Sequence, residues 1–156
     1  MQKFSLPQDF VDFFKLLEKN NVDYLIVGSW AVALHGRPRY TKDIDILIAR
    51  DATNAKKLLL ALNEFGFGSL ELSEDDFLKE EFVIQLGYEP NRIDILTDIS
   101  GVIFKEAKQN SIEKSINGMK LKIISINDLI QAKKSAGRPQ DLADIDQLQK
   151  INSLKK

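Results

Sequence analysis

The 156 residues contain no cysteine and a single histidine, His35. Disulfides and thiolate metal sites are therefore excluded, and so are metal centres built from several histidines. A chain without cysteine suits a reducing compartment, and a cytoplasmic location is the expectation. The opening MQKFSLPQDF lacks the apolar core and small-residue cleavage site of a signal peptide. No apolar run approaches the roughly 20 residues needed to cross a bilayer, so no membrane association is expected. Excess basic charge is missing too: 22 Lys and Arg stand against 23 Asp and Glu, for a net charge of −1. No global basic field can hold nucleic acid by phosphate neutralisation alone, which argues against a stand-alone DNA- or RNA-binding module. Phosphate chemistry run by bound cations remains open.

What is present is an ordinary hydrophobic content of 44%, enough for one domain spanning 1–156. A helix is expected to begin near Pro7, with Phe10, Phe14 and Leu17 on one face and Asn20-Asn21 closing it. Tyr24 to Val27 reads as a short buried strand ending at Gly28, followed by a helix from Trp30 to Leu34 that stops at Gly36. Ile44 to Ala49 is a second strand, and Ala52 to Phe65 an amphipathic helix ended by Gly66 and Gly68. Phe82–Leu86 and Arg92–Leu96 read as strands joined by the turn Glu89-Pro90-Asn91. Val102 to Lys108 reads as helix. Asn117-Gly118, between Ser111–Ile116 and Met119–Ile124, is a tight-turn signal. Helices over Asp128–Ala136 and Pro139–Leu154 finish the chain. The fold class is α/β, a small mixed β-sheet covered by helices.

The segment from Gly28 to Ile48, GSWAVALHGRPRYTKDIDILI, carries the most chemical information. Side chains alternate across a strand, so Asp43 and Asp45 share one face while Ile44, Ile46 and Ile48 share the other. The isoleucine face is core. Two aspartates side by side repel unless a cation sits between them, and a hard divalent ion with oxygen ligands answers that need. RIDILT repeats the pattern: Asp94 faces with Arg92 and Leu96, away from Ile93 and Ile95. A third carboxylate on a neighbouring strand would complete a two-metal cluster for phosphoryl chemistry.

A lone Asp-x-Asp is weak evidence, because many such pairs are solvated strand ends. Haloacid-dehalogenase phosphatases place the motif after an apolar strand, whereas here the apolar residues follow it. Glycosyltransferases with the motif carry a larger nucleotide-binding unit before it than 42 residues allow. Gly28-Ser29, at a strand-to-helix junction upstream of the pair, strengthens the signal. Glycine permits close backbone approach, and the amides there with the Ser29 hydroxyl can hold phosphate oxygens. A plain turn with Ser29 as N-cap is the simpler role for the dipeptide taken alone.

A second polar cluster lies in SINDLIQAKKSAGRPQDLADIDQL. Leu142, Ile145 and Leu148 form an apolar stripe on the last helix, and Asp141 falls near its middle. A buried carboxylate needs a partner, and Lys133 and Arg138 are nearest in sequence. Two roles stay open: Asp141 positions Lys133 on a triphosphate, or Asp141 only meets the helix dipole while Lys133 is solvated. In the first case loss of Lys133 should weaken nucleotide binding with little change in stability. His35 reads as a packing or loop hydrogen-bonding residue, Trp30 as core, and Arg37 and Arg39 as solvated loop. Asp75-Asp76 and Lys155-Lys156 read as solvated charge.

Gly28-Ser29, the Asp43/Asp45 pair and Asp94 together resemble the signature of the polymerase-beta-like nucleotidyltransferase superfamily. The resemblance extends to a small branch related to abortive-infection nucleotidyltransferase toxins, which carry an alanine-rich helix with His-Gly, then Arg, Thr and Asp-x-Asp. Here these are Trp30–Ala33, His35-Gly36, Arg39, Thr41 and Asp43–Asp45. Near its end that branch shows Asp-Leu, Lys, Gly-Arg and two aspartates, here Asp128-Leu129, Lys133, Gly137-Arg138, Asp141 and Asp144. The match runs from about Tyr24 to Leu148. It implies an NTP such as ATP bound with Mg2+ (two ions, with Mn2+ as an alternative) and nucleotidyl transfer to an acceptor that is an RNA end, a protein or a small molecule. Asp43 and Asp45 would hold both metals; Asp94 would hold the catalytic one and help activate the attacking hydroxyl. Gly28, Ser29, Lys133, Arg138 and Asp141 would form the nucleotide-binding group. Larger superfamily members carry extra domains, so closure of the site by a homodimer or a partner protein is expected. The competing expectation is a catalytically silent binding or antitoxin-like module.

Overall fold

The computed structural model describes residues 6–36, 43–68, 71–88 and 91–154. Arg37, Arg39, Thr41, Lys155-Lys156 and the Glu89-Pro90 part of the expected turn lie outside them.

Helix α1 (Gln8–Lys19) starts behind Pro7 and buries Phe10, Val11, Phe13, Phe14 and Leu17. Strand β1 (Tyr24–Val27) leads without a gap into α2 (Gly28–Leu34), which begins two residues earlier than the sequence suggests. Strand β2 (Ile44–Ile48) precedes α3 (Ala52–Phe65); Asp51 caps α3 by accepting from the Asn54 amide at 2.7 Å, and Gly66 closes it in the left-handed conformation at φ 102°. Strands β3 (Val83–Leu86) and β4 (Ile93–Leu96) follow, then α4 (Phe104–Asn110). Asn117 and Gly118, at φ 53° and 77°, turn β5 (Ile112–Ile116) into β6 (Met119–Ile123). Helices α5 (Ile126–Ala136) and α6 (Pro139–Leu154) pack as a hairpin about Gly137.

Two expectations need correction. Asp75 is exposed as expected, but Asp76 is not merely solvated charge: a short 3-10 helix over Glu74–Leu78 has a Ser73/Asp76 capping box and inserts Phe77 into the core. The stripe on α6 is also misphased. Leu142 is 59% exposed, and the buried face is Asp141, Asp144, Ile145 and Leu148.

The six-stranded sheet runs β3-β4-β2-β1-β6-β5. β1 is antiparallel to β2 and parallel to β6; β2 is parallel to β4; the outer pairs are antiparallel. All of β1 and all of β2 except Asp45 are buried, so the central strands are covered on both faces. Asp45 marks the opening in that cover.

Candidate active site

The register brings two of the expected carboxylates together. Asp45 on β2 pairs directly with Asp94 on β4, in a row that continues to Val27 on β1 and Gln85 on β3. Asp43 stands one residue ahead of β2. Asp45 is pushed up to about 7, first by burial, then by the neighbouring Asp94 and Asp43 charges, with Arg92 opposing. Three acids so placed cannot all stay ionised cheaply without a cation.

Arg92 supplies part of that cation. Its Nε donates to Asp94 Oδ1 at 2.8 Å and its Nη2 to Asp94 Oδ2 at 3.1 Å. The same Nη2 lies 3.0 Å from Asp43 Oδ2. Among the described residues no three acid side chains converge as a finished metal cage. The donor set still suits a hard ion: all ligands are carboxylate oxygens, and the Asp45 charge needs neutralising.

Gly28 meets Asp45 from the next strand. It sits at φ +68°, and a Cβ there would lie 2.4 Å from Asp45 Oδ2, so both conformation and space require glycine. Ser29 follows it as a half-buried residue in the first turn of α2.

The second cluster faces the same opening. Lys133 Nζ, buried on α5, donates to Asp144 Oδ2 at 2.9 Å and reaches Asp141 Oδ1 at 3.4 Å. A solvated Lys133 is thereby excluded. Asp141 also receives the Arg138 Nε at 2.7 Å, its Nη2 at 3.2 Å and its backbone amide at 3.2 Å. Those bonds from Arg138 hold the Asp141 carboxyl below its ordinary range despite burial. The Arg138 side chain itself is 76% exposed, pinned at one edge and open at the other.

A cleft of about 440 Å³ joins these parts. It is lined by Gly28 and Asp45 on one side, by Lys133, Arg138 and Asp141 on another, and by Leu96, Ile99, Leu129 and Ala132 between them. Five of the eight residues expected from sequence thus border one cavity; Asp94 and Asp43 adjoin Asp45 through the sheet register and Arg92, and Ser29 adjoins Gly28. Arg92 and Asp144, named in the sequence on the Asp94 face and in the family motif, carry no site role among the sequence expectations. Arg92 was visible two residues before Asp94 on the same strand face, and Asp144 three after Asp141 on the same helix face. His35 is buried, with Nε2 2.6 Å from the Ile124 carbonyl oxygen, and Trp30 packs edge-on to Phe10 in the core.

Three solved structures share this architecture. A candidate nucleotidyltransferase of Thermotoga maritima, TM1012, is 16% identical with a TM-score of 0.57, covering 95% of this chain and 89% of its own. The lincosamide antibiotic adenylyltransferase LnuA, solved with lincomycin, is 18% identical with a TM-score of 0.56, covering 96% and 99%. ANT(2")-Ia, solved with adenylyl-2"-tobramycin, is 16% identical with a TM-score of 0.55, covering 94% of each chain. The fold is therefore that of the nucleotidyltransferases. Residues 7–156 match the family described as nucleotidyl transferase of unknown function (DUF2204), and the chain belongs to that family. No curated protein matches the sequence.

Proposed function

We propose that the protein transfers a nucleoside monophosphate from an NTP, with ATP the favoured donor, to an acceptor hydroxyl in a divalent-metal-dependent reaction. The observation that carries this is the Asp45–Asp94 pairing, flanked by Asp43 and opening onto a cleft whose other wall is Lys133 and Arg138. Asp43, Asp45 and Asp94 would hold Mg2+, which when bound offsets charge on the phosphates and lowers the cost of ionising the acceptor hydroxyl. Asp94 would face the acceptor and take its proton, its carboxylate held in place by Arg92 before metal binds. Gly28 lets the backbone approach the phosphates. Arg138 reaches from the α5–α6 corner toward phosphate oxygens, oriented by Asp141, while Lys133 at the cleft wall holds Asp141 and Asp144 in place. The acceptor oxygen bonds to the α-phosphorus and pyrophosphate leaves with the electrons of the broken P–O bond.

A small hydroxylated molecule is the acceptor class we favour. LnuA, solved with lincomycin, is matched over 99% of its chain, and that likeness supports a small-molecule acceptor. Thermal unfolding with Mg2+ and each NTP tests the site. A ligand at about 100 times its Kd stabilises by about 2.7 kcal/mol, or about 5–11 °C for a domain of this size. Asp43→Asn or Asp45→Asn should abolish the shift while leaving the fold intact. A shift that survives loss of both carboxylates would refute the proposal.

A further inference from the structure

Positioning Asp94 accounts for only part of the Arg92 contacts. Its guanidinium grips both oxygens of Asp94 in a fork, and one of the same nitrogens also bonds Asp43. That nitrogen lies between two of the three carboxylates that a divalent ion would share. A fork of this kind occupies the lone pairs best directed for a further ligand and fixes the carboxylate plane. The guanidinium is one quarter exposed, so it has solvent to move into, whereas Asp94 at 11% does not.

We propose that Arg92 is a resident counter-cation that competes with the divalent ion for Asp43 and Asp94, so that metal binding must release the guanidinium from at least one of them. The inference rests on the metal-dependent reading of this site. Its physical basis is charge balance. Among the described residues Arg92 is the cation bonded to both Asp43 and Asp94, and its charge also opposes the crowding of negative charge at Asp45. Adding a divalent ion beside that charge brings cation against cation at contact range, and the two cannot both use the same carboxylate oxygens. Arg92 therefore stabilises the metal-free protein and weakens the metal complex. The metal-free site stays ordered, and occupancy is deferred until nucleotide brings its own negative charge to compensate.

Arg92→Gln and Arg92→Lys separate this from a purely structural role. Glutamine keeps a polar amide but is shorter and carries no charge; lysine keeps the charge without the fork. Mn2+ is titrated without nucleotide, following free ion by its electron paramagnetic resonance, and metal-free unfolding midpoints are measured alongside. Arg92→Gln should bind Mn2+ about tenfold more tightly than the wild type while its metal-free form melts lower. Arg92→Lys should fall between. Weaker or unchanged Mn2+ binding in folded Arg92→Gln would overturn the competition. Asp45→Asn added to Arg92→Gln is the control for the underlying site: if the double variant binds Mn2+ as tightly as Arg92→Gln, the metal site itself is wrong, a failure distinct from that of the Arg92 proposal.

Discussion

Replacing Lys133 with methionine tests the second cluster most severely. The ammonium is 9% exposed at the side chain and bridges two carboxylates, Asp141 at 2% and Asp144 at 6%. Methionine preserves the length and apolar stem but leaves Asp144 without its closest cation. Asp141 keeps Arg138, so the loss concentrates on Asp144. Breaking one side of a buried ion pair costs about 3–5 kcal/mol, and Arg138 holding Asp141 argues for the lower end. At about 2–4 °C per kcal/mol for a domain of this size, the melting temperature should fall by about 6–12 °C. Adding Asp144→Asn should return most of that, because it removes the stranded charge instead of the cation. Urea unfolding of the wild type, both single variants and the double variant yields the coupling energy directly. Lys133→Met within 2 °C of wild type, about 1 kcal/mol or less, would refute the buried bridge. The expectation from sequence, in which Lys133 could be removed with little change in stability, is reversed by this burial.

Gly28→Ala must adopt a left-handed backbone and place a methyl on the Asp45 carboxylate. The backbone alone costs about 1–2 kcal/mol, so melting should drop by about 2–8 °C and nucleotide-induced stabilisation should disappear; unchanged melting would contradict the close approach. In metal-free buffer Asp45, raised to about 7, keeps a proton in the folded protein that the unfolded chain releases near its ordinary value of 3.8. The folded form thus binds more protons between about pH 4 and 7, and this contribution to stability is lost as pH rises through that window. Asp45→Asn should remove the loss, so its advantage over wild type in denaturant midpoint should grow from pH 5 to pH 8; parallel profiles would contradict the assignment.

Much of the scaffold was legible because its signals are local. Pro7, Gly66, Asn117-Gly118 and Pro139 each punctuate the chain by fixing or freeing a backbone dihedral: α1 starts behind the first, α3 ends at the second, β5 turns into β6 at the third and α6 starts at the fourth. The period-two alternation in DIDILI and RIDILT likewise put the acids on one face. Strand order and register are not local: nothing in either segment says that β4 lies beside β2 with Asp94 opposite Asp45. The α6 stripe failed for a related reason. The periodicity of apolar residues alone puts Leu142 in the stripe and leaves Asp144 out, whereas Lys133, one helix away, pairs with Asp141 and Asp144 and lets the acid-bearing face be the buried one. Asn54 is similar: buried, it accepts from the Asp23 amide and donates to the Asp23 and Ala49 carbonyls, tying the start of β1 to the end of β2. The partners of such side chains are set by tertiary packing.

The central claim is tested most directly by transfer of label from an α-phosphate-labelled NTP. Wild type and Asp94→Asn are compared in Mg2+ with a panel of hydroxylated small molecules, RNA and protein as acceptors. The wild type should move label to one acceptor class and release unlabelled pyrophosphate, with no transfer when the metal is chelated. Asp94→Asn should still be stabilised by metal-nucleotide yet transfer at least a hundredfold more slowly, the scale expected when a positioned general base is lost. Transfer by Asp94→Asn at the wild-type rate, or undiminished transfer in the absence of divalent metal, would contradict the assignment.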